Sequence, residues 1–173
     1  MQTLILIGYR GTGKTTIAQK LAERLGIPAF DSDVEIERRA GKSIAEIFAQ
    51  DGEPAFRDLE ESVIAEILIQ SVPLVLATGG GAILRERTHE RLRQSGHVIW
   101  LTATPETILQ RIISDATSLT MRPSLTVLPL QQEIVTILEQ RTPLYAKTAH
   151  QIIDTDSRTP DEIIATIFQS TCQ

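Results

Sequence analysis

Asparagine is absent from the chain, and cysteine occurs once, as Cys172. The first absence excludes an N-K-x-D element, the signature by which guanine-specific nucleotide switches read their base. The second excludes an intrachain disulfide and any cysteine metal cluster, and points to a reducing cytoplasm. A basic excess is missing too: 17 Lys and Arg face 22 Asp and Glu, a net charge of −5. That balance argues against a nucleic-acid binder, while leaving room for a small anionic ligand held by a few local arginines. No apolar run approaches the ~20 residues of a membrane span. The short apolar run at the N-terminus has no basic flank, so no signal peptide is expected. Repeats and low-complexity segments are lacking. What is present, 42% apolar and 23% charged residues over 173 positions, suits one soluble domain with a proper core.

The most informative stretch is Thr3 to Thr15. The apolar, β-branched run Leu4 to Ile7 breaks at Gly8 into a glycine-rich loop ending in Gly13-Lys14-Thr15, which fits G-x-x-x-x-G-K-[ST]. Gly8, Gly11 and Gly13 allow positive φ angles and a close approach of backbone to a polyphosphate. The N–H groups of Gly11, Thr12, Gly13, Lys14, Thr15 and Thr16 then form an anion nest at a helix N-terminus. In this motif Lys14 reaches the β- and γ-phosphates and the Thr15 hydroxyl ligates Mg²⁺. A helical period follows in Ile17, Leu21 and Leu25. The rival dinucleotide fingerprint G-x-G-x-x-G fails, because Thr16 stands where its third glycine belongs. The loop predicts a nucleoside triphosphate site.

Further along, strands at about 3–7, 28–30, 74–77, 97–101 and 150–153 alternate with helices. This predicts an α/β fold with a parallel sheet covered on both faces. Ser32 or Asp33 is the expected cap of a helix through Ile36, and Ser43 to Glu46 reads as a capping box. Gly52 interrupts that next helix, and Pro54 to about Gln70 continues it. Residues 83–94 read as a charged, exposed helix. Residues 114–129 follow no period and predict a functional lid. The helix from Leu130 is expected to break or kink around Arg141 to Pro143. One core uses the apolar faces, which predicts a monomer.

In such sheets ligands collect at the carboxyl ends of the strands. Asp31 and Asp33 stand there and suit either Mg²⁺ and hydroxyl chemistry or helix capping. Gly79-Gly80-Gly81 marks either a close backbone approach or a flexible turn. Arg57, Arg122 and Arg141 offer forks for a carboxylate or phosphate; ordinary solvated arginine is the rival reading. His89, His97 and His150 have no partner spacing and receive no role.

Taken in order, these elements resemble the shikimate kinase family. The resemblance runs through Gly8 to Thr15, Phe30-Asp31-Ser32-Asp33, Phe56-Arg57 with Glu60, Gly79-Gly80-Gly81, Met121-Arg122-Pro123 and Arg141-Thr142-Pro143-Leu144-Tyr145. It implies the nucleoside monophosphate kinase fold, a three-layer α/β/α arrangement with sheet order 2-3-1-4-5. Residues of about 33–62 would form the substrate-binding segment and about 114–129 the lid of a single kinase domain spanning 1–173. It implies Mg²⁺-dependent transfer from ATP to the 3-hydroxyl of shikimate. Asp33 would hold ring hydroxyls, Arg57 and Arg141 would clamp the carboxylate, and the Gly79 to Gly81 backbone would face the hydroxyl side. Arg122 would reach ATP phosphates from the lid. Thr15 would bind Mg²⁺ directly and Asp31 through water. Arg111 and the Arg158 to Pro160 segment match the family's adenine-stacking positions. The lid departs from the family, being less charged after Pro123. Rival readings are another P-loop small-molecule kinase, such as one for gluconate or a nucleoside monophosphate, and a nucleotide-binding module without catalysis.

Overall fold

The computed structural model describes residues 2–70, 72–115 and 129–171. Five strands, β1 (Leu4–Ile7), β2 (Ala29–Asp31), β3 (Val75–Ala77), β4 (His97–Thr102) and β5 (Gln151–Asp154), pair in the order β2-β3-β1-β4-β5. All four pairings are parallel, with β1 between β3 and β4 through Leu4↔Val75 and Leu4↔His97. The expected sheet order is therefore the observed one.

Alternation along the strands feeds two cores. Ile5, Ile7, Leu76, Val98 and Trp100 point to one face, where they meet Ile36, Phe56, Val63, Ile64 and Tyr145. Leu4, Leu6, Val75, Ile99 and Leu101 point to the other, against Ile17, Leu21, Ile163 and Ile167. The first face is covered by α2 (Ser32–Ala40), α3 (Ile44–Leu68), α4 (Glu86–Ser95) and α6 (Leu130–Thr148). The second is covered by α1 (Lys14–Leu25) and α7 (Pro160–Thr171). A third cluster, Tyr9, Ile108, Ile112, Ile134 and Ile137, joins α5 (Pro105–Ser114) to α6. Each buried Leu or Ile contributes about 1.5–3 kcal/mol, so strands buried on both sides anchor the sheet whose carboxyl edge carries the loops.

Several local expectations need correction. Strand β2 runs one residue further than predicted, and Asp31, rather than Ser32 or Asp33, caps α2 by accepting from the Asp33 N–H at 2.9 Å. Residues 83–94 are not one exposed helix. A 3₁₀ turn (Ala82–Leu84) precedes α4, and Thr88, His89 and Leu92 of α4 are buried. The charged residues fill one side of α4 and hide a short apolar stripe on the other. Helix α6 passes through Pro143 to Thr148 without ending. Proline removes a donor to residue 139, which is exposed and can be solvated instead. The Ser43–Glu46 capping box forms as expected, and Gly52 (φ 82°, ψ 171°) breaks α3 into two segments. The lid expectation falls on residues outside those described, apart from Ser114, Asp115 and Pro129.

Candidate active site

The loop after β1 is shaped by its glycines. Gly8, Gly11 and Gly13 have φ of 140°, 80° and 89°, conformations that side chains rarely adopt. At Gly8 there is also no space: a Cβ would lie 2.4 Å from the Leu101 carbonyl oxygen. Gly13 leads into α1 in the left-handed conformation. Two side chains fold back inside the turn, where Thr12 Oγ1 and Lys14 Nζ donate to the Tyr9 carbonyl at 2.8 and 2.7 Å. The loop is thereby braced from within, and Lys14 is largely buried beside it.

A cleft beyond this loop is lined by Gly11, Gly13, Lys14, Thr15, Thr16, Asp31, Asp33, Thr78 and Arg111, among others. Thr12 stays beneath it, buried. Thr15 Oγ1 donates to Asp31 Oδ2 at 2.6 Å, so the two groups expected at Mg²⁺ already sit together. One hydroxyl and one carboxylate do not make a protein-only cation cage, and among the described residues no cluster of three His, Cys, Asp or Glu stands ready for a metal. The donor set fits Mg²⁺ carried in on phosphate oxygens. Arg111 is held edge-on, donating to the Gly11 carbonyl (3.2 Å), Thr155 Oγ1 (2.9 Å) and the Thr155 carbonyl (2.8 Å). It ties α5 and the segment after β5 to the phosphate loop. Arg158 is exposed and lines neither this cleft nor the next pocket. Arg122 lies outside the described residues.

A narrow pocket adjoins the cleft, lined by Tyr9, Arg10, Ile44, Phe48, Phe56, Arg57, Glu60, Gly79, Gly80, Gly81 and Arg141. It has two kinds of wall. Ile44, Phe48 and Phe56 are apolar, with the two phenyl centroids 4.7 Å apart. Arginines share the pocket with them, Arg57 lying over the Phe56 ring. Arg57 and Arg141 expose only 8% and 7% of their surface, a costly placement unless anions meet them. Arg57 Nη1 donates to Glu60 Oε2 at 2.5 Å, while its Nε and Nη2 approach Glu53 Oε1 at 3.2 Å. Burial pushes the Glu60 carboxyl upward, against the pull of Arg57, Arg141 and Arg85. The Tyr9 phenol is likewise raised, chiefly by burial.

The three glycines are fixed in place. Gly79 N–H donates to Ser32 Oγ at 2.9 Å, and the Gly80 carbonyl accepts from Tyr145 Oη at 2.5 Å. Against Gly81 lies the Arg57 guanidinium, and a Cβ there would stand 2.4 Å from Nη2. The flexible-turn reading of this stretch is therefore replaced by a close-packed one, with all three residues buried. Ser32, Tyr145, Tyr9 and the Arg10–Glu133 pair were missed as site residues. Ser32 and Tyr145 stood inside recognised motifs. Glu133 carried no local signal, being 123 positions from Arg10, to which it is joined at 2.8 Å.

Three polar atoms around the pocket, Tyr9 Oη, Arg10 Nε and Glu60 Oε1, are buried without a well-aligned hydrogen-bond partner among the described residues. Orphaned buried polar atoms are uncommon in folded proteins. Their concentration at one cavity marks a place for a polar ligand.

Comparison with known proteins agrees with that geometry. The family model described as "SKI: Shikimate kinase" matches residues 10–172. The chain is 43% identical over 169 residues to the shikimate kinase of Rhodopirellula baltica, covering 98% of this chain and 90% of that one. With the shikimate kinase of Syntrophus aciditrophicus it shares 42% over 176 residues, covering 97% and 90%. Among solved structures, shikimate kinase from Acinetobacter baumannii in complex with shikimate superposes with a TM-score of 0.92 at 39% identity, over 99% of this chain and 93% of that one.

Proposed function

The chain belongs to the shikimate kinase family, and we propose that it moves the γ-phosphoryl group of ATP onto the 3-hydroxyl of shikimate. The observation that carries the acceptor assignment is the pocket in which Arg57 and Arg141 lie buried together with the Gly79 to Gly81 backbone and the apolar Ile44, Phe48 and Phe56. A polyhydroxylated cyclic acid has the same make-up: one carboxylate, several hydroxyls and an apolar ring face. The family match also sets aside gluconate and nucleoside monophosphates as acceptors.

Phosphoryl transfer runs through a loose transition state, so positioning and charge stabilisation supply most of the catalysis. The nest of the phosphate loop and Lys14 hold the β- and γ-phosphates of ATP. Thr15 and Asp31 would hold Mg²⁺, which would supply charge neutralisation to the phosphates when bound. Arg111 lines the nucleotide cleft, where adenine would lie near it; Arg158, outside that lining, would reach the base only from the exposed segment after β5. Arg57 and Arg141 clamp the acceptor's carboxylate, and the Gly79 to Gly81 backbone approaches its hydroxyl side. Asp33, half-buried at the border of the cleft, orients the attacking hydroxyl and takes its proton. By the family resemblance Arg122 would add a further cation at the phosphates. Closure over the donor would keep water from replacing the acceptor.

Coupled ADP release, with shikimate, quinate, gluconate and CMP offered in turn, tests the reading. Turnover with shikimate and Mg²⁺ is the expected result, and equal turnover with gluconate or CMP would overturn the acceptor assignment. We further propose a cytoplasmic monomer, for which sedimentation at working concentration is the direct check.

A further inference from the structure

Arg10 is the variable residue of the phosphate loop just before Gly11, and sequence reading gave it no part. In the structure it lines both the nucleotide cleft and the acceptor pocket, a property it shares only with Ile44 among their lining residues. Among the described residues it is the one charged group that lines both. Its Nη2 donates to Glu133 Oε1 at 2.8 Å, and Glu133 is fully buried. A carboxylate taken wholly out of water is expensive unless it is paired, so this contact fixes the guanidinium rather than decorating the surface. The remaining edge is the telling part. Arg10 Nε is buried beside the Tyr9 hydroxyl, with which the side chain interacts without forming a well-aligned hydrogen bond, although a guanidinium donor normally finds a full partner.

Resting on the reading above, we infer that Arg10 is a catalytic residue that donates to an oxygen of the phosphoryl group as it crosses from ATP to the acceptor, held ready by Glu133. In that step the acceptor hydroxyl oxygen bonds to γ-phosphorus, and the bond from γ-phosphorus to the β–γ bridging oxygen breaks. The electron pair leaves with ADP and the hydroxyl proton passes to Asp33. Charge spreads over the three equatorial oxygens during transfer, and an arginine fixed beside that path stabilises it. The Arg10–Glu133 pair is neutral overall before reaction, so it adds little to the binding of the unphosphorylated acid. Its effect falls on the transferring group and on the product.

The test compares wild type, Arg10→Met and Arg10→Lys by ADP release, and by calorimetric binding of shikimate and of shikimate 3-phosphate to the full chain. In Arg10→Met, kcat should fall roughly 10- to 100-fold, the range of a hydrogen bond to a charged group. Affinity for the phosphorylated acid should fall about tenfold or more while KM and affinity for shikimate stay within about threefold, and Arg10→Lys should recover part of the loss. If Arg10→Met leaves a buried carboxylate that prevents folding, Arg10→Met combined with Glu133→Gln removes that charge and carries the same expectation. Unchanged kcat, or equal loss of affinity for both acids, overturns the assignment of Arg10 alone. Failure of wild type to bind either acid overturns the acceptor reading and this inference with it.

Discussion

Replacing Gly81 by alanine tests the proposed carboxylate clamp separately from the fold. The backbone at Gly81 (φ −100°, ψ 1°) is open to any residue, so alanine brings no conformational strain. Loss of glycine even restricts the unfolded chain, an effect of about 0.4–1 kcal/mol in favour of folding. The conflict is entirely with one side chain. The new Cβ would lie 2.4, 2.5 and 2.7 Å from Arg57 Nη2, Nη1 and Cζ, whereas ordinary contact between such atoms is about 3.5 Å. The guanidinium must therefore retreat by roughly 1 Å. It cannot retreat freely, because Glu60 holds Nη1 at 2.5 Å and Phe56 lies beneath it, 5.0 Å from ring centroid to Cζ. A displacement of that size in a positioning group costs up to about 100-fold. Outright loss of a buried charge partner, about 2–5 kcal/mol, is the upper limit. Initial-rate kinetics should show KM for shikimate raised about 10- to 100-fold, KM for ATP unchanged, and a melting temperature within a few degrees of wild type. Gly80→Ala is the internal control, since its nearest atom is Gly8 O at 3.3 Å and no arginine is struck. If Gly81→Ala keeps the wild-type KM for shikimate, the guanidinium on Gly81 is not holding the acid.

Arg57→Ala removes the same clamp by truncation and should weaken shikimate by about 2–5 kcal/mol with ATP binding retained; a flat KM in steady-state assays would contradict it. Asp33→Asn should lose roughly 100-fold or more of kcat, in the range of a positioned general base, while nucleotide titration shows ordinary ATP affinity; unaltered turnover would remove Asp33 from the chemistry. His150 links fold to pH. Its Nδ1 accepts from the Val98 N–H at 3.0 Å, and burial, Arg93 and His97 lower its pKa below the usual histidine value. The unfolded chain then binds the extra proton first, so this contribution is complete above the ordinary value of about 6.5 and declines as pH falls from there through the folded-state pKa. Urea midpoints across that window should fall with pH in wild type and fall less in His150→Gln; parallel profiles would show that His150 is not the group.

What could be read from the chain was whatever is decided locally. The phosphate loop is a contiguous string whose glycines need φ values of 80–140°, and the capping box at Ser43 is closed within four residues. The central strands β1, β3 and β4 were readable because residues buried on both faces leave unbroken apolar runs. Errors arose where two local solutions were nearly equal. Asp-Ser-Asp offers three capping side chains in a row, and only packing selects Asp31, because Ser32 is turned inward to meet the Gly79 N–H. Helix α4 looked exposed because three buried residues among ten give a weak period. The acceptor pocket was readable only through resemblance, since its walls come from α3, the turn after β3 and α6. Arg10 and Glu133 meet across 123 positions, and no spacing rule spans that distance.

The donor side of this site is generic, and the acceptor side is what discriminates. A nest of backbone N–H groups with a lysine attracts any polyphosphate, whatever the second substrate. The acceptor pocket is particular in its charge. Arg57 is already paired with the buried Glu60 and the more exposed Glu53, so the positive charge left to be met in the pocket is that of the buried Arg141. One carboxylate completes the balance. A nucleoside monophosphate would bring a second negative charge into the same space, next to Glu60, whose carboxyl burial already drives toward its neutral form. A neutral sugar would leave an arginine unanswered, at the cost of a buried unpaired charge. On the proposed reading, selectivity for a monocarboxylate would follow from the number of charges as much as from the shape. Glu60→Gln should therefore relax it, raising affinity for doubly charged acids relative to shikimate in the same ADP-release assay; an unmoved preference would mean that shape alone decides.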